Sequence, residues 1–107
     1  MPRPGDVVTV DFSGATGIKR RPAIVVSSDV YHAERPDVVL GVITSNVSNA
    51  TSSTDYLLAD WSTSGLKKPS AFRSYFAMAL PGNVRVIGHV SDRDWQSIRE
   101  RVHRALA

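Results

Sequence analysis

Short β-forming segments separated by turn signals run as far as Val90, and the chain changes to a helical period only after that residue. β-Branched and aromatic residues in alternation favour strands, and the Gly, Pro, Asn and Asp residues between them favour turns. Ser91 is a residue type that caps helices, and apolar residues follow it at helical spacing: Trp95, Ile98, Val102 and Leu106. This order predicts a mainly β fold, a small antiparallel barrel with a C-terminal α-helix.

Six strands are predicted from these patterns, at residues 6–12, 21–27, 38–44, 55–59, 70–80 and 84–90. In the first strand Val8, Val10 and Phe12 share one face. The third strand is nearly all apolar, so we expect it at the centre of the sheet. Between the strands we expect a hairpin loop at residues 13–18, a turn or short helix at 29–37, and a polar, mobile loop at 45–54.

The composition fits a folded protein of one domain, residues 1–107, with a single modest core. A hydrophobic content of 42% with 21% charged residues excludes the disordered class. The absence of cysteine excludes disulfides and thiolate metal sites, and makes the cytoplasm the expected location. No apolar run approaches membrane length, and the net charge of +3 indicates nucleic-acid binding only weakly.

A cationic cluster, Lys19-Arg20-Arg21, leads into a β-branched strand through Pro22. Proline fixes its own φ and disfavours the α conformation of the residue before it, so Arg21 is held extended at the strand entrance. A guanidinium fixed in this way can grip a phosphate with two parallel hydrogen bonds. The alternative reading is that Arg20 and Arg21 are solvated charges at a strand edge.

Five stretches carry a pattern whose order and spacing cover nearly the whole chain. They are residues 5–8 (Gly-Asp-Val-Val), 20–27 (Arg-Arg-Pro-Ala-Ile-Val-Val-Ser), 42–45 (Val-Ile-Thr-Ser), 68–73 (Lys-Pro-Ser-Ala-Phe-Arg) and 86–91 (Val-Ile-Gly-His-Val-Ser). Together they resemble the MazF/PemK toxins, which have the Kid/PemK/CcdB-like fold. The resemblance implies that the predicted barrel is SH3-like.

The resemblance also implies an activity and partners. Members of this family are homodimers that cut single-stranded RNA, usually mRNA, at a short sequence and without a metal or other cofactor. Each is the toxin of a toxin–antitoxin pair, is neutralised by a MazE-like antitoxin, and meets DNA only indirectly through the antitoxin complex. By the same resemblance Arg21, Thr44 and Arg73 match catalytic residues, and Ser45 matches a substrate contact.

These residue types suit cleavage by the neighbouring 2′-hydroxyl, which yields a 2′,3′-cyclic phosphate and a 5′-hydroxyl. An internal nucleophile has a high effective molarity, so the protein has to stabilise an anionic phosphorus and move a proton. Arg21 and Arg73 supply positive charge, and Thr44 supplies a hydroxyl that orients a phosphate oxygen or the 2′-hydroxyl. Because arginine stays protonated at ordinary pH, we expect electrostatic stabilisation from Arg21 rather than general-base catalysis.

Two positions depart from the PemK-type pattern. Tyr75 stands where that subtype carries an acid, and Ile18 stands where it carries a histidine. Both proton carriers of the subtype are therefore missing, which predicts slower catalysis or a mechanism centred on Arg21 and Thr44. Their loss also leaves an alternative open, a non-catalytic SH3-like dimeric module that binds a protein tail or nucleic acid.

Further residues are predicted to bind RNA or to build the dimer. The predicted RNA-binding residues are Lys19, Arg20, Ser45, Lys67, Lys68 and Ser70. Lysine contacts to phosphates position RNA without reading its bases, so we expect sequence choice to come from the loops at residues 13–19 and 45–54. The dimer is expected to form through the strand at residues 70–80 and the C-terminal helix.

The remaining polar and aromatic residues are expected to be structural. The three histidines do not have metal-ligand spacing. Tyr56 and Trp61 can stack on bases, but we expect them to cover the core or the dimer surface. Asp60 and the arginines of the C-terminal helix are expected to be solvated charges.

Overall fold

The computed structural model, which describes residues 1–107, contains six β-strands and two α-helices. The strands are β1 (Asp6–Gly14), β2 (Gly17–Val25), β3 (Val38–Thr44), β4 (Tyr56–Leu57), β5 (Ala71–Ala79) and β6 (Val84–His89). The helices are α1 (Asp29–Glu34) and α2 (Asp92–Ala105), and 3-10 turns lie at Val47–Asn49, Trp61–Thr63 and Pro81–Asn83. Neither α-helix has the length and apolar character needed to cross a membrane.

All six strands form one curled antiparallel sheet with the order β4-β5-β3-β2-β1-β6. This architecture confirms the predicted mainly β fold with a C-terminal helix. Strand β3 begins and ends where the sequence predicted and lies between β5 and β2, so its predicted central position is also confirmed. The predicted short helix after the second strand is present as α1.

The hairpin between β1 and β2 is tighter than predicted. The strands pair as far as Gly14 opposite Gly17, which leaves only two residues in the turn instead of the predicted loop at 13–18. Gly17 has a φ of 112°, a conformation that glycine adopts readily because it has no Cβ. The longer strands carry the cationic cluster on regular β backbone rather than on a loop.

The two faces of the curled sheet hold two apolar clusters. The first, on the face covered by α2, contains Val7, Ile24, Ile43, Leu58, Phe72, Val90 and Ile98. The second, on the opposite face, contains Val8, Val10, Ala23, Val25, Val38 and Leu40, with Phe12 packed against it. The predicted alternation in the first strand is therefore confirmed, because its even-numbered apolar residues share one cluster. Tyr56 and Trp61 pack against the first cluster, as expected.

A β-bulge interrupts the pairing of β3 with β5. Gly41 lies opposite Phe76 and Val42 lies opposite Arg73, so Ser74 and Tyr75 are extra residues on β5. Glycine is required at position 41, because a Cβ there would come within 2.2 Å of the Phe72 ring. Bulges of this kind redirect side chains and are common beside functional sites.

Helix α2 is fastened to the segment around β4 by a buried carboxylate. Ser91 caps the helix as predicted, its hydroxyl accepting from the backbone N–H of Asp94. The Asp94 carboxylate is fully buried and accepts from the Tyr56 hydroxyl at 2.6 Å, the Ala59 N–H at 3.0 Å and the Asp60 N–H at 2.9 Å. We call this arrangement, Asp94 with Tyr56, Ala59 and Asp60, the Asp94 clasp. Burial and the hydrogen bond to Asp94 raise the pKa of Tyr56 above its ordinary value.

Several charges predicted to be solvated also make contacts at this junction. The Arg93 guanidinium donates to both carboxylate oxygens of Asp60, at 2.7 and 2.6 Å. Arg101 lies over the Tyr56 ring, and Arg104 donates to the carbonyl oxygen of Ser53. Arg93, Arg99 and Arg104 are exposed, as predicted for a solvated helix face. The contacts of Arg93 and Arg104 were not predicted, because their partners are more than thirty residues away in sequence.

Candidate active site

Arg21, Thr44 and Arg73 lie on three neighbouring strands, β2, β3 and β5, with β3 in the middle. Ala23 is paired with Val42, and Val42 is paired with Arg73. Arg21 is two residues from Ala23 and Thr44 is two residues from Val42, so alternation places all three side chains on the same face. With a strand spacing of about 4.8 Å and an offset of two residues along the strands, the backbones at Arg21 and Arg73 are roughly 12 Å apart. The fold thus brings these three predicted residues to one end of one sheet face.

Thr44 is the last residue of β3 and is half-buried. Its Oγ1 accepts a hydrogen bond from the backbone N–H of Asn46 at 3.1 Å. A hydroxyl has one donor and two acceptor positions, so this contact fixes the oxygen and leaves its proton free to donate. Thr44 therefore presents an oriented donor between the two arginine-bearing strands.

Arg73 is held between a carboxylate and an aromatic ring. Its Nε is buried and lies 3.8 Å from Oδ2 of Asp55, which is too long for a hydrogen bond but close enough for ionic attraction. The side chain of Asp55 is only 5% exposed, so the carboxylate lies behind the guanidinium rather than in solvent. On the other side, Nη2 donates to the Tyr75 hydroxyl at 3.3 Å and the guanidinium lies over the Tyr75 ring. These two contacts limit the orientations open to Arg73.

Arg21 and Lys19 are exposed on the same face of β2 and have no ion-pair partner in the chain. Together with the β1–β2 turn they line a cleft of about 200 Å³. The register of β1 and β2 places both side chains on the cleft's face of the sheet, because Lys19 lies opposite Phe12 and Arg21 lies opposite Val10. The cleft therefore combines free positive charge with the glycine-containing turn.

Arg20 points away from this cleft. It lies between Lys19 and Arg21 on a regular strand, so its side chain emerges on the opposite face. There its guanidinium donates to Asp11 at 3.2 Å and to the Thr9 hydroxyl at 3.1 Å. The structure thus brings Lys19 and Arg21 together and separates Arg20 from them.

The other predicted RNA-binding residues differ in availability. Ser45 is exposed directly after Thr44, and Lys67 and Lys68 are exposed just before β5. Ser70 is buried, and its hydroxyl donates to the carbonyl oxygen of Lys68 at 2.8 Å. Ser70 therefore shapes the entry to β5, whereas the other three side chains are open to a ligand.

The histidines lie outside this site. His32 contacts the Ser27 hydroxyl at 2.5 Å, and His89 contacts Asp6 at 2.8 Å. No group of three or more His, Cys, Asp or Glu residues has the arrangement of a metal site. Sequence reasoning missed Asp55, the carboxylate behind Arg73, because nothing local marks a strand-entry aspartate as buried.

Solved structures of several toxins share this fold. An endoribonuclease in complex with its cognate antitoxin, from Mycobacterial species, gives a TM-score of 0.80 at 19% identity over 99% of this chain and 95% of that one. Mycobacterium tuberculosis toxin MazF-mt6 gives a TM-score of 0.74 at 18% identity over 94% of each chain. A MazE–MazF structure from Deinococcus radiodurans gives 0.72 at 17% identity, over 99% and 95%. At these identities the likeness establishes the fold.

Family membership comes from the sequence itself. No curated protein matches the chain. The model of the family described as PemK-like, MazF-like toxin of type II toxin-antitoxin system matches residues 3–106, and so confirms the resemblance seen in the five short stretches. The chain therefore belongs to the PemK/MazF-like toxins of type II toxin–antitoxin systems, a family of endoribonucleases.

Proposed function

We propose that this chain is a toxin that cuts single-stranded RNA, chiefly mRNA, at a short sequence in the cytoplasm, and so stops translation and growth. Family membership supports the class of activity. The observation that supports this particular site most is the shared face and end of β2, β3 and β5 that carry Arg21, Thr44 and Arg73.

The proposed reaction uses a nucleophile that the substrate brings. The 2′-oxygen attacks the adjacent phosphorus, the bond from phosphorus to the 5′-oxygen breaks, and the products are a 2′,3′-cyclic phosphate and a 5′-hydroxyl. The proton lost by the 2′-hydroxyl is balanced by the proton gained by the leaving 5′-oxygen. Since the nucleophile is already adjacent, the scheme requires no bound metal or cofactor to generate it.

The protein's part in this scheme is to stabilise the charge that develops on phosphorus. The guanidinium groups of Arg21 and Arg73 place positive charge next to a phosphate that binds at Thr44. The free proton of the Thr44 hydroxyl can be donated to a non-bridging oxygen of that phosphate. Arginine is a very weak acid and gives up its proton only at strongly alkaline pH, so this scheme assigns the role of base to neither residue. With no histidine in the site, we expect protons to exchange with water and turnover to be slow for a nuclease.

We infer that the toxin is a homodimer and that an antitoxin covers its cationic groove. Met78 and Leu80 are large apolar side chains that are more than half exposed at the end of β5, as a subunit interface requires. An acidic, disordered MazE-like segment can fold across Arg21 and Arg73 and exclude RNA. In this scheme the toxin meets DNA only through the antitoxin.

Cleavage of a long single-stranded RNA in EDTA, followed by mapping of 5′-hydroxyl ends, tests the activity. We expect cuts at one short sequence that persist without metal. A protein that binds the RNA and leaves it intact would instead be the non-catalytic module.

Substitutions then test the site. Arg21→Ala should lower kcat/KM at least about 100-fold and Thr44→Val about tenfold, the sizes expected for transition-state charge and for one oriented hydroxyl. Arg85→Ala, an exposed arginine on β6, is the matched control and should keep the parental rate. Parental cleavage by Arg21→Ala would show that the site has been assigned to the wrong residues.

Light scattering at micromolar concentration tests the assembly. We expect the mass of two chains, and Met78→Asp should shift it toward one chain by placing a charge in the apolar interface. A monomeric mass for the parent protein would contradict the dimer.

A further inference from the structure

Tyr75 is an exposed aromatic residue in direct contact with the candidate active site. The residue is 58% exposed, although tyrosine usually buries most of its ring. It lies in the β-bulge of β5, two residues after Arg73 and outside the regular pairing with β3. The bulge therefore projects an apolar ring from the sheet at the point where Arg73 emerges.

The ring and the Arg73 guanidinium are held together as one unit. The guanidinium carbon lies 4.6 Å from the ring centroid, a cation–π distance, and Nη2 donates to the Tyr75 hydroxyl at 3.3 Å. Arg73 is itself drawn toward the buried Asp55 carboxylate. The guanidinium thus covers one face of the ring and limits its rotation, which leaves the opposite face to solvent.

We propose that Tyr75 is a nucleobase-binding residue that stacks on the base beside the scissile phosphate. This inference rests on the proposed function, because a phosphate bound by Arg73 brings a neighbouring base of single-stranded RNA within reach of the ring. Stacking on an aromatic face accepts any base, since every base has a π-face. Tyr75 therefore contributes affinity and position, and the choice of sequence depends on other contacts.

The contact with the base is made by the ring and not by the hydroxyl. The hydroxyl accepts from Arg73, so its role is to orient the ring. Phenylalanine at this position keeps the stacking face, whereas alanine removes it. The two substitutions separate these roles.

Binding of a labelled RNA that contains the mapped cleavage site tests the proposal. A 2′-deoxynucleotide on the 5′ side of the cut removes the nucleophile, so fluorescence anisotropy reports binding alone. We expect Tyr75→Ala to raise Kd about tenfold and Tyr75→Phe to raise it less than twofold. Val30→Ala, which removes an exposed apolar side chain from α1, is the control and should leave Kd unchanged.

The same RNA with an abasic nucleotide on either side of the cut identifies the base. One abasic position should weaken binding of the parent protein about tenfold and should weaken binding of Tyr75→Ala no further. Parental affinity of Tyr75→Ala, equal abasic penalties in both proteins, or a loss in Tyr75→Phe as large as in Tyr75→Ala would each overturn the inference. A parent protein that cleaves no RNA would overturn the proposed function as well, and this is seen before any Tyr75 variant is measured.

Discussion

The Asp94 clasp and the candidate active site are both built from polar side chains, but they differ in how completely those side chains are partnered. In the clasp the buried Asp94 carboxylate accepts three hydrogen bonds, and the neighbouring Asp60 carboxylate accepts two from Arg93. In the candidate site Arg21 is exposed without a partner, and Arg73 has a buried Nε with no hydrogen bond.

This difference indicates that the clasp serves the stability of the fold, whereas the candidate site serves ligand binding. A buried charge whose hydrogen-bonding positions are filled holds two segments together and has no capacity left for a ligand. The Arg21 guanidinium has no anionic partner and lies on the same face as the free proton of the Thr44 hydroxyl, so it can instead bind a phosphate. The comparison therefore predicts that substitutions in the clasp change folding and that substitutions in the site change catalysis.

The largest effect is expected from Asp94→Ala. It removes the buried acceptor of the Tyr56 hydroxyl and of two partly buried backbone N–H groups, which should lower the free energy of unfolding by about 3 kcal/mol. Urea denaturation measures this value. Asp92→Ala is the matched control, because Asp92 is an exposed acid in the same first turn of α2.

The RNA-cleavage activity of Asp94→Ala shows whether the clasp has only a structural role. We expect kcat/KM per folded molecule of Asp94→Ala to stay within about twofold of the parent, since the clasp joins α2 to the β4 segment on the face away from Arg21. A stable Asp94→Ala protein that has lost cleavage would remove the distinction between the two regions.

The parts of the fold that were predictable from sequence depend on local pattern. The ends of β3, the Ser91 cap and the faces of β1 follow from alternation and capping chemistry within a few residues. The short hairpin was not predicted, because Gly14 and Gly17, which end β1 and begin β2, are compatible with either a wide loop or a tight turn.

The candidate site likewise contains some residues that were predictable from sequence and others that were not. Arg21, Thr44 and Arg73 could be singled out from motif resemblance, and strand register then explains why they share a face. Asp55 behind Arg73 and the charge partners of α2 could not be found, because each contact joins residues that are distant in sequence. Burial of a carboxylate depends on tertiary packing, which residue order alone does not reveal.

A smaller effect, on the affinity for RNA, is expected when the charge of Lys19 or of the adjacent Arg20 is reversed. Lys19 faces the cleft beside Arg21, whereas Arg20 is paired with Asp11 on the opposite face. Lys19→Glu should therefore weaken RNA binding about fivefold and reduce its salt dependence, while Arg20→Glu should change Kd less than twofold. Fluorescence anisotropy at several salt concentrations measures both.

The antitoxin provides an independent check of the same face. If an acidic segment shares the groove, Lys19→Glu should weaken antitoxin and RNA binding together, and both losses should shrink at high salt. Equal losses for Lys19→Glu and Arg20→Glu would show that charge over the whole protein, and not one face, determines binding. An antitoxin that neutralises the toxin while RNA stays bound would show that inhibition is allosteric.

The smallest effect concerns the pH dependence of the clasp region. Hydrogen bonds from Arg93 and Ser91 lower the pKa of Asp60 to about 2, whereas an aspartate in the unfolded chain titrates near 3.9. The ionised carboxylate therefore stabilises the folded state above about pH 4, and this contribution is lost as the pH falls toward 2. Asp60→Asn should lower Tm slightly at pH 6, with a difference from the parent that shrinks below pH 4 and is mostly lost near pH 2.

Two comparisons identify the charge as the cause. Glu34→Gln, at an exposed acid of α1 that has no arginine partner, is the control and should not alter the pH profile of Tm. Arg93→Gln should reproduce the profile of Asp60→Asn, since either change removes the same pair. A Tm difference that stays constant from pH 6 to pH 2 would mean that Asp60 acts through neutral hydrogen bonding to Ser91, and that the pair with Arg93 contributes nothing to stability.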